Sequence, residues 1–465
     1  MEEDGGSGRH ACRHDRVTPV AARQAVTRGL IASIACAALA GLLFGFDTAV
    51  ISGTTTALSR EFRLDATWLG VTVSAALWGT LLGSLAAGRP GDRFGARDAL
   101  KGVGLLFLVG ALGSALATGW GVLVFFRILT GLAVGGASVL APVYIAEIAP
   151  ARHRGAMVVV FQLNIILGIL IAFISNAVIG AIDLGPDDWR WKFGVGAAPA
   201  LLLLAMLFRI SQSPRWLVGR DRADEAAAAL IRTGRTREDA IREIAEIRAS
   251  LASEPVGERL RWSAHARPIL LAILIALFNQ LSGINALLYY INDIFVAAGA
   301  GGSADAQAIV IGLANGVFTC LGLVLIDRAG RRTLLAVGSI GMAGCLTVAG
   351  LALDGVLPKG AVLFALIGFI ACFASSTGAV IWVYLSEIFP TAVRNRGAAL
   401  GASVHWGANA VIAAAFPWIA ARSAGLPFLF FAAMMALQCV IVLRFFPETK
   451  RASLEQLQRK EALHG

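Results

Sequence analysis

The sequence has little charge. Of 465 residues only 15% are Asp, Glu, Lys or Arg, against 57% apolar. A soluble chain of this length would form two or three domains with charged surfaces, and here there is too little charge to coat them. Cysteine is sparse, and none of the six (Cys12, Cys36, Cys320, Cys345, Cys372, Cys439) belongs to a Cys-x-x-Cys pair. Neither a disulfide framework nor a zinc site is indicated. The six histidines are scattered. With no nucleophile–base pair and no cluster of metal ligands, neither enzymatic activity nor a metal or cofactor is expected. The polar start, residues 1–28, lacks a clear small-residue cleavage site, so the apolar run after it is expected to be kept as a span. The net charge of +10 would suit nucleic acid. The basic residues, however, lie in short loops between apolar runs and act as topology signals.

What the sequence has is apolar length. Stretches of about 20 residues recur, each long enough to cross a hydrocarbon core of roughly 30 Å. Twelve are expected, near 29–53, 67–88, 100–118, 121–143, 156–180, 193–210, 267–297, 305–326, 333–352, 360–385, 398–420 and 425–446. The expected organisation is an N-terminal tail to residue 28, six helices over 29–210, a charged linker over 211–266, six more helices over 267–446, and a tail from 447. The linker's apolar residues recur at three-to-four spacing, so it should form short amphipathic helices. A solvated connection and a regulatory element are both open to it. Lys and Arg on the loops that share a side with the termini outnumber those on the opposite loops by about three to one. By the positive-inside rule this places both termini and the linker in the cytoplasm of a multi-pass protein of the cell membrane.

The two sets of six repeat each other. "DRFGAR" (Asp92 to Arg97) follows the second span and "DRAGRR" (Asp327 to Arg332) the eighth. Glu147 and Arg154 in "EIAPARHRG" after the fourth span are matched by Glu387 and Arg394 in "EIFPTAVRNRG" after the tenth. Parallel six-helix repeats suit a central site that opens alternately to either side. With "SQSPRWL" (Ser211 to Leu217) and "PETK" (Pro447 to Lys450), these motifs make the chain resemble the sugar porters of the major facilitator superfamily over nearly its whole length.

That resemblance implies an all-helical membrane fold of two pseudo-symmetric bundles, and a secondary transporter importing a hexose or pentose by proton symport. A passive uniporter, a polyol symporter and a transporter-like sensor are the alternatives. The expected partners are a monosaccharide, the proton and the bilayer, with no nucleic acid, and a monomer is expected. The resemblance also implies an inner salt-bridge network of Asp92, Arg93, Glu147 and Arg154 in the first half and Asp327, Arg331, Glu387 and Arg394 in the second. Surface pairs that only set topology are the bland alternative. Ala96 stands where the family often has Arg, Asn395 where it has Gly, and Gln212 where it has Glu.

Sugar hydroxyls donate and accept, and amide side chains answer with both functions at no net charge. Amides inside apolar runs are Gln162, Asn279, Gln280, Asn285, Asn315 and Asn409, with Trp382 in the tenth span to stack on a sugar face. Any lone amide there can equally be interhelical glue. Gln280 and Asn285 lie about 140° apart on an unbroken helix. Ser282 and Gly283 between them allow local unwinding that would let both reach one cavity, as broken helices do at transporter sites. The resemblance marks Gln162, Gln280, Asn285, Asn315 and Trp382 as sugar-contacting positions. His405 stands where similar proteins have an amide, and Ala379 where they have a hinge proline.

Asp47, in "FGFDTAVISG", puts a carboxylate inside the first span, where insertion costs roughly 2.5–3.5 kcal/mol. It lies about 27 Å from the linker-side start of its span at 1.5 Å per residue. Arg127 lies about 9 Å from the opposite end of the fourth span, so the two fall in the same half of a core roughly 30 Å thick and could meet. A static ion pair would explain them. So would a proton switch, because a buried carboxylate prefers to be neutral when alone and charged beside a guanidinium. The resemblance favours the switch.

Overall fold

The structure is a computed structural model that describes residues 27–150, 153–252, 260–390 and 393–448. Among the described residues twelve helices are long and apolar enough to cross a membrane: Arg28–Gly53, Ala66–Ala86, Ala96–Ala115, Trp120–Ile148, Gly155–Ile182, Gly185–Leu207, Trp262–Tyr289, Ala304–Ile326, Arg331–Leu353, Ala361–Leu385, Arg396–Ala420 and Leu426–Phe445. They are numbered spans 1 to 12 in that order. The side chains of Arg154 and Asp327 lie outside the described residues, as do residues 1–26 and 449–465 of the two tails.

Several ends differ from the sequence expectation, for a physical reason. Hydropathy marks the part of a helix that suits lipid, whereas the helix continues wherever its polar ends are paired. Span 3 begins at Ala96, not near 100, because Arg97 and Lys101 both pair with Asp98, at 3.0 and 2.8 Å. Span 4 runs on to Ile148, past the expected 143, and carries Pro142 within it. Residues 89–94, expected in a loop, belong to the short helix Gly88–Phe94.

Close packing comes from small residues, which let backbones approach where lipid supplies no hydrophobic drive. A methyl on Gly45 of span 1 would lie 1.8 Å from the Ile165 carbonyl of span 5, and one on Gly131 of span 4 would lie 1.8 Å from the Ala76 carbonyl of span 2. The two sets of six meet along spans 2 and 11 and along spans 5 and 8. At Gly70 a methyl would come within 2.1 Å of the Ala414 carbonyl across that boundary. On the side away from the linker, Asp293 accepts from the hydroxyls of Thr55 (3.0 Å) and Thr56 (3.4 Å), tying the first half to the second.

Span 7 is broken as its Ser-Gly pair foretold. One helix ends at Leu281 and the next, Ile284–Tyr289, begins after Gly283 at φ +83°. Glycine alone takes that conformation freely, and a methyl there would also lie 2.3 Å from the Phe431 ring. Gly283→Ala should therefore lose on the order of 1–3 kcal/mol to backbone strain and a similar amount to overpacking. The check is a lower thermal midpoint in detergent together with weakened sugar binding.

Span 10 also breaks, at Ser376 (φ −128°, ψ −95°), between the helices Ala361–Ser375 and Thr377–Glu387. No proline is needed. The Ser375 hydroxyl donates to the Ala371 carbonyl at 2.5 Å and the Ser376 hydroxyl to that of Cys372 at 2.5 Å. Such back-bonding is a known cause of helix bending.

The linker forms the expected short helices, Pro214–Val218, Ala223–Arg232 and Arg237–Ala252, around a small core of its own that includes Leu217, Leu230 and Ile244. Thr236 caps the last of these, accepting from the Asp239 backbone at 3.1 Å while its hydroxyl donates to the Asp239 carboxylate at 2.8 Å. That bond, with Arg242 beside it, holds Asp239 below its ordinary carboxylate pKa. The unit is docked on the first half through backbone carbonyls. Trp216 donates to Asp92 (3.0 Å), the Thr27 hydroxyl to Arg232 (3.2 Å), and the buried Arg235 to Ile148 at the end of span 4 (3.0 Å).

Candidate functional site

The break in span 7 turns two side chains toward each other that an unbroken helix would separate. Asn285 Nδ2 donates to Gln280 Oε1 at 2.9 Å, and Gln280 Nε2 donates to Asn279 Oδ1 at 3.0 Å. The same Gln280 amide lies 3.0 Å from the ring nitrogens of His405 in span 11. His405 is in ring contact with Trp382 of span 10, at 5.2 Å between centroids. Five of the side chains expected to bind sugar thus form one cluster. Gln280, Asn279 and His405 are buried, whereas Trp382 is 43% exposed. Chemically the cluster offers amide donors and acceptors beside an aromatic plane.

The other three are placed differently. Asn409 donates to the Tyr289 hydroxyl at 3.0 Å, one helical turn from His405. Asn315 and Gln162 make no hydrogen bond to the cluster among the described residues. They lie where spans 8 and 5 meet: Gly316, next to Asn315, faces Ile166, one turn along from Gln162.

Asp47 and Arg127 meet, as their depths allowed. Arg127 Nη1 donates to Asp47 Oδ1 and Nη2 to Oδ2 at 3.4 Å. The pair is sequestered, with side-chain exposures of 3% for Arg127 and 13% for Asp47. The Phe193 ring lies 5.2 Å from the guanidinium. Two cavities flank the pair. One, of about 20 Å³, has Phe44, Tyr289 and Trp406 among its walls. The other, also of about 20 Å³, lies among spans 1, 3, 4 and 6.

Sequence reasoning missed Tyr289 and Trp406, which connect the two sites. Tyr289 lines the first cavity beside Asp47 and accepts from Asn409. Trp406 lines it as well, packs edge-on to His405 at 5.0 Å, and meets Phe44 of span 1 at 5.6 Å. The signal was present. Tyr289 is four residues beyond Asn285 on the resumed helix, hence on the same face, and Trp406 adjoins His405 in sequence.

At the linker side the two halves use the same device with different chemistry. Gly95 and Gly330 open spans 3 and 9 with nearly identical backbones (φ +80°, ψ 155° and φ +87°, ψ 156°). In the second half the Glu448 carboxylate accepts from the backbone of Arg331 (3.0 Å) and Arg332 (3.1 Å). In the first half Gln212 Oε1 takes that place, accepting from Arg97 at 3.1 Å and from Ser213 at 3.0 Å. Its Nε2 donates to the Phe94 carbonyl at 3.0 Å and to the Asp98 carboxylate at 3.2 Å. A glutamate at 212 would set two carboxylates against each other. The position matching Asp98 in the second half is Thr333, which makes no such conflict. The amide at 212 is thus explained by its neighbour.

Of the expected gate, Arg331 donates to Glu387 at 3.0 Å, a pair within the second half. Ala96 occupies the corresponding place in the first half and removes that pairing for Glu147. Asp92 and Arg93 are exposed. Arg93 stacks on Phe94, and neither side chain forms an ion pair among the described residues. Their backbone carbonyls receive Trp216 and Arg220 of the linker.

Comparison with known proteins agrees with this geometry. The family described as sugar (and other) transporter matches residues 33–460. The chain is 35% identical to the D-xylose-proton symporter of Escherichia coli strain K12, over 91% of this chain and 94% of that one. It is 36% identical to the galactose-proton symporter of the same strain, over 91% and 92%. Among solved structures it is similar to the partially occluded inward-open conformation of the xylose transporter of E. coli, with a TM-score of 0.82, 33% identity, and coverage of 91% and 99%. With twelve spans, repeated loop motifs and an amide cluster on a broken seventh helix, the chain belongs to the sugar porter family of the major facilitator superfamily.

Proposed function

We propose that this protein imports a monosaccharide by proton symport through alternating access, with the linker and both termini in the cytoplasm of a cell whose bounding membrane it spans. The observation that carries the reading is the buried Asp47–Arg127 pair, set one cavity wall away from the amide cluster. A passive carrier has no need of a buried carboxylate, and relatives of similar length are named as proton symporters of a pentose and of a hexose. Asn279, Gln280, Asn285, Trp382 and His405 form the sugar-binding wall, with Gln162, Asn315 and Asn409 completing it from spans 5, 8 and 11. Residues 29–210 and 267–446 act as the two rocking bodies. A proton on Asp47 cancels the charge that holds Arg127, so protonation and the seating of span 1 against span 4 are linked.

The experiment is uptake into proteoliposomes under an imposed pH gradient, with one labelled sugar competed by unlabelled xylose, glucose, galactose, arabinose and myo-inositol. Concentrative uptake displaced by one or two of these establishes both the reaction and the substrate. Equilibration without concentration assigns a uniporter instead.

Glu387, with Arg331, serves as a gate on the linker side. A charge-assisted hydrogen bond contributes about 1.5–3 kcal/mol, so Glu387→Ala should shift the balance of the two facing states roughly tenfold toward the inward-open one. Labelling of single cysteines on the linker side measures it, and an unchanged labelling rate removes Glu387 from the gate.

A further inference from the structure

The second cavity beside Asp47 holds polar atoms that the protein itself leaves unanswered. Arg127 Nε and Ser114 Oγ are both buried and have no hydrogen-bond partner among the described residues. Both residues line this cavity, and both are almost wholly inaccessible, at 3% and 1% exposure. Thr130 lines it too. Its hydroxyl donates to the Phe126 carbonyl at 2.9 Å, leaving lone pairs to accept. Asp47 completes the polar set.

Buried donors and acceptors in folded proteins are answered by protein or by ordered water. A buried water needs room for its own sphere, roughly 10–15 Å³ as cavities are measured, and two to four polar partners. The chamber offers about 20 Å³ on that measure, enough for a water, and Arg127 Nε, Asp47, Ser114 and Thr130 are partners enough. The remaining wall is dry: Phe46, Phe107 and Phe193 are each less than 5% exposed. Gly196 of span 6, which also lines the chamber, keeps it from being filled by a side chain.

The chamber's position matters as much as its chemistry. Tyr289 and Trp406, which lead toward the amide cluster, line the first cavity and not this one. Ser114 is one residue from the end of the span 3 helix at Ala115, and Phe193 belongs to the short helix Asp188–Gly194 that opens span 6. About one turn of helix therefore separates the chamber from the face opposite the linker, the outside in the orientation proposed above.

We propose that this second chamber is a water site that delivers the proton to Asp47 from outside, by a route separate from the sugar's. The inference rests on the symport reading and adds a pathway to it. A hydronium ion at the chamber's Asp47 wall gives its proton to a carboxylate oxygen. An O–H bond breaks on the hydronium, one forms on Asp47, and neutral water remains. The charged and titratable groups that face Asp47 from neighbouring elements are Arg127 of span 4 and Tyr289 of span 7. Neither blocks the chamber side. With separate routes, a bound sugar leaves the path of the proton clear.

Two measurements test this. Filling the chamber by Ala111→Leu, or removing its hydroxyl by Ser114→Val, should slow pH-driven sugar accumulation in proteoliposomes at least tenfold. Sugar exchange at equal pH on both sides should stay at the parent rate. Independently, hydroxyl-radical footprinting of the unaltered protein should mark Phe107 and Phe193 despite their burial, and leave Phe369, fully buried in the packed core, unmarked. If Phe107 and Phe193 are as silent as Phe369, the chamber is dry and the proposal falls, whether or not the variants fold. If the parent concentrates sugar and both variants match it, the proposal falls while symport stands. A parent that never concentrates sugar overturns the symport reading and this route with it.

Discussion

Asp47→Asn is expected to abolish proton-driven accumulation while leaving sugar binding and exchange intact. Asparagine keeps the size and one acceptor oxygen for Arg127, which donates two hydrogen bonds to the native carboxylate. What it removes is the carboxylate proposed to take up the proton. One proton moving through 100 mV releases about 2.3 kcal/mol, enough for roughly fifty-fold concentration of sugar, and the variant should fall to a ratio near one. Exchange needs only the sugar site and the rocking of the halves, so it should persist. Proteoliposomes with an imposed pH gradient measure the first quantity, and counterflow at equal pH measures the second. A variant that concentrates sugar like its parent would make the pair a static one.

Gln280→Ala carries the largest expected effect on binding. Gln280 joins the whole cluster, donating to Asn279, lying against the His405 ring and accepting from Asn285. Truncation strands the Asn285 amide and the imidazole in a buried place and takes away two functions that a sugar hydroxyl needs. Each stranded polar group costs about 1–3 kcal/mol, so affinity should fall at least tenfold. Calorimetry or equilibrium binding on purified protein reads this directly, and a parent-like thermal midpoint separates it from misfolding. Unchanged affinity would return Gln280 to the role of glue between spans 7 and 11.

The sequence by itself determined the features that depend on neighbours in the chain. Twelve apolar runs announce twelve helices, because spanning length is a local requirement. Ser282 and Gly283 announce the break in span 7, because the left-handed conformation is a local property of glycine. Two depths measured along helices of known rise allowed Asp47 and Arg127 to meet, and the packing of span 1 on span 4 brought them together. Helix ends were less legible, since Asp98 extends span 3 through pairings that a hydropathy window does not weigh. The tertiary structure alone decided which polar groups answer one another across the bundle. That Tyr289 links Asn409 to the cavity beside Asp47 depends on how span 7 sits against spans 1 and 11. That Gln212 must be an amide depends on Asp98, more than a hundred residues away. The chamber beside Arg127 exists because Ser114, Thr130 and Gly196 converge from three spans. Hydrogen bonds and cavities are set by distances between helices, and those distances follow from how glycine-lined faces dock, which no periodicity along a single helix encodes.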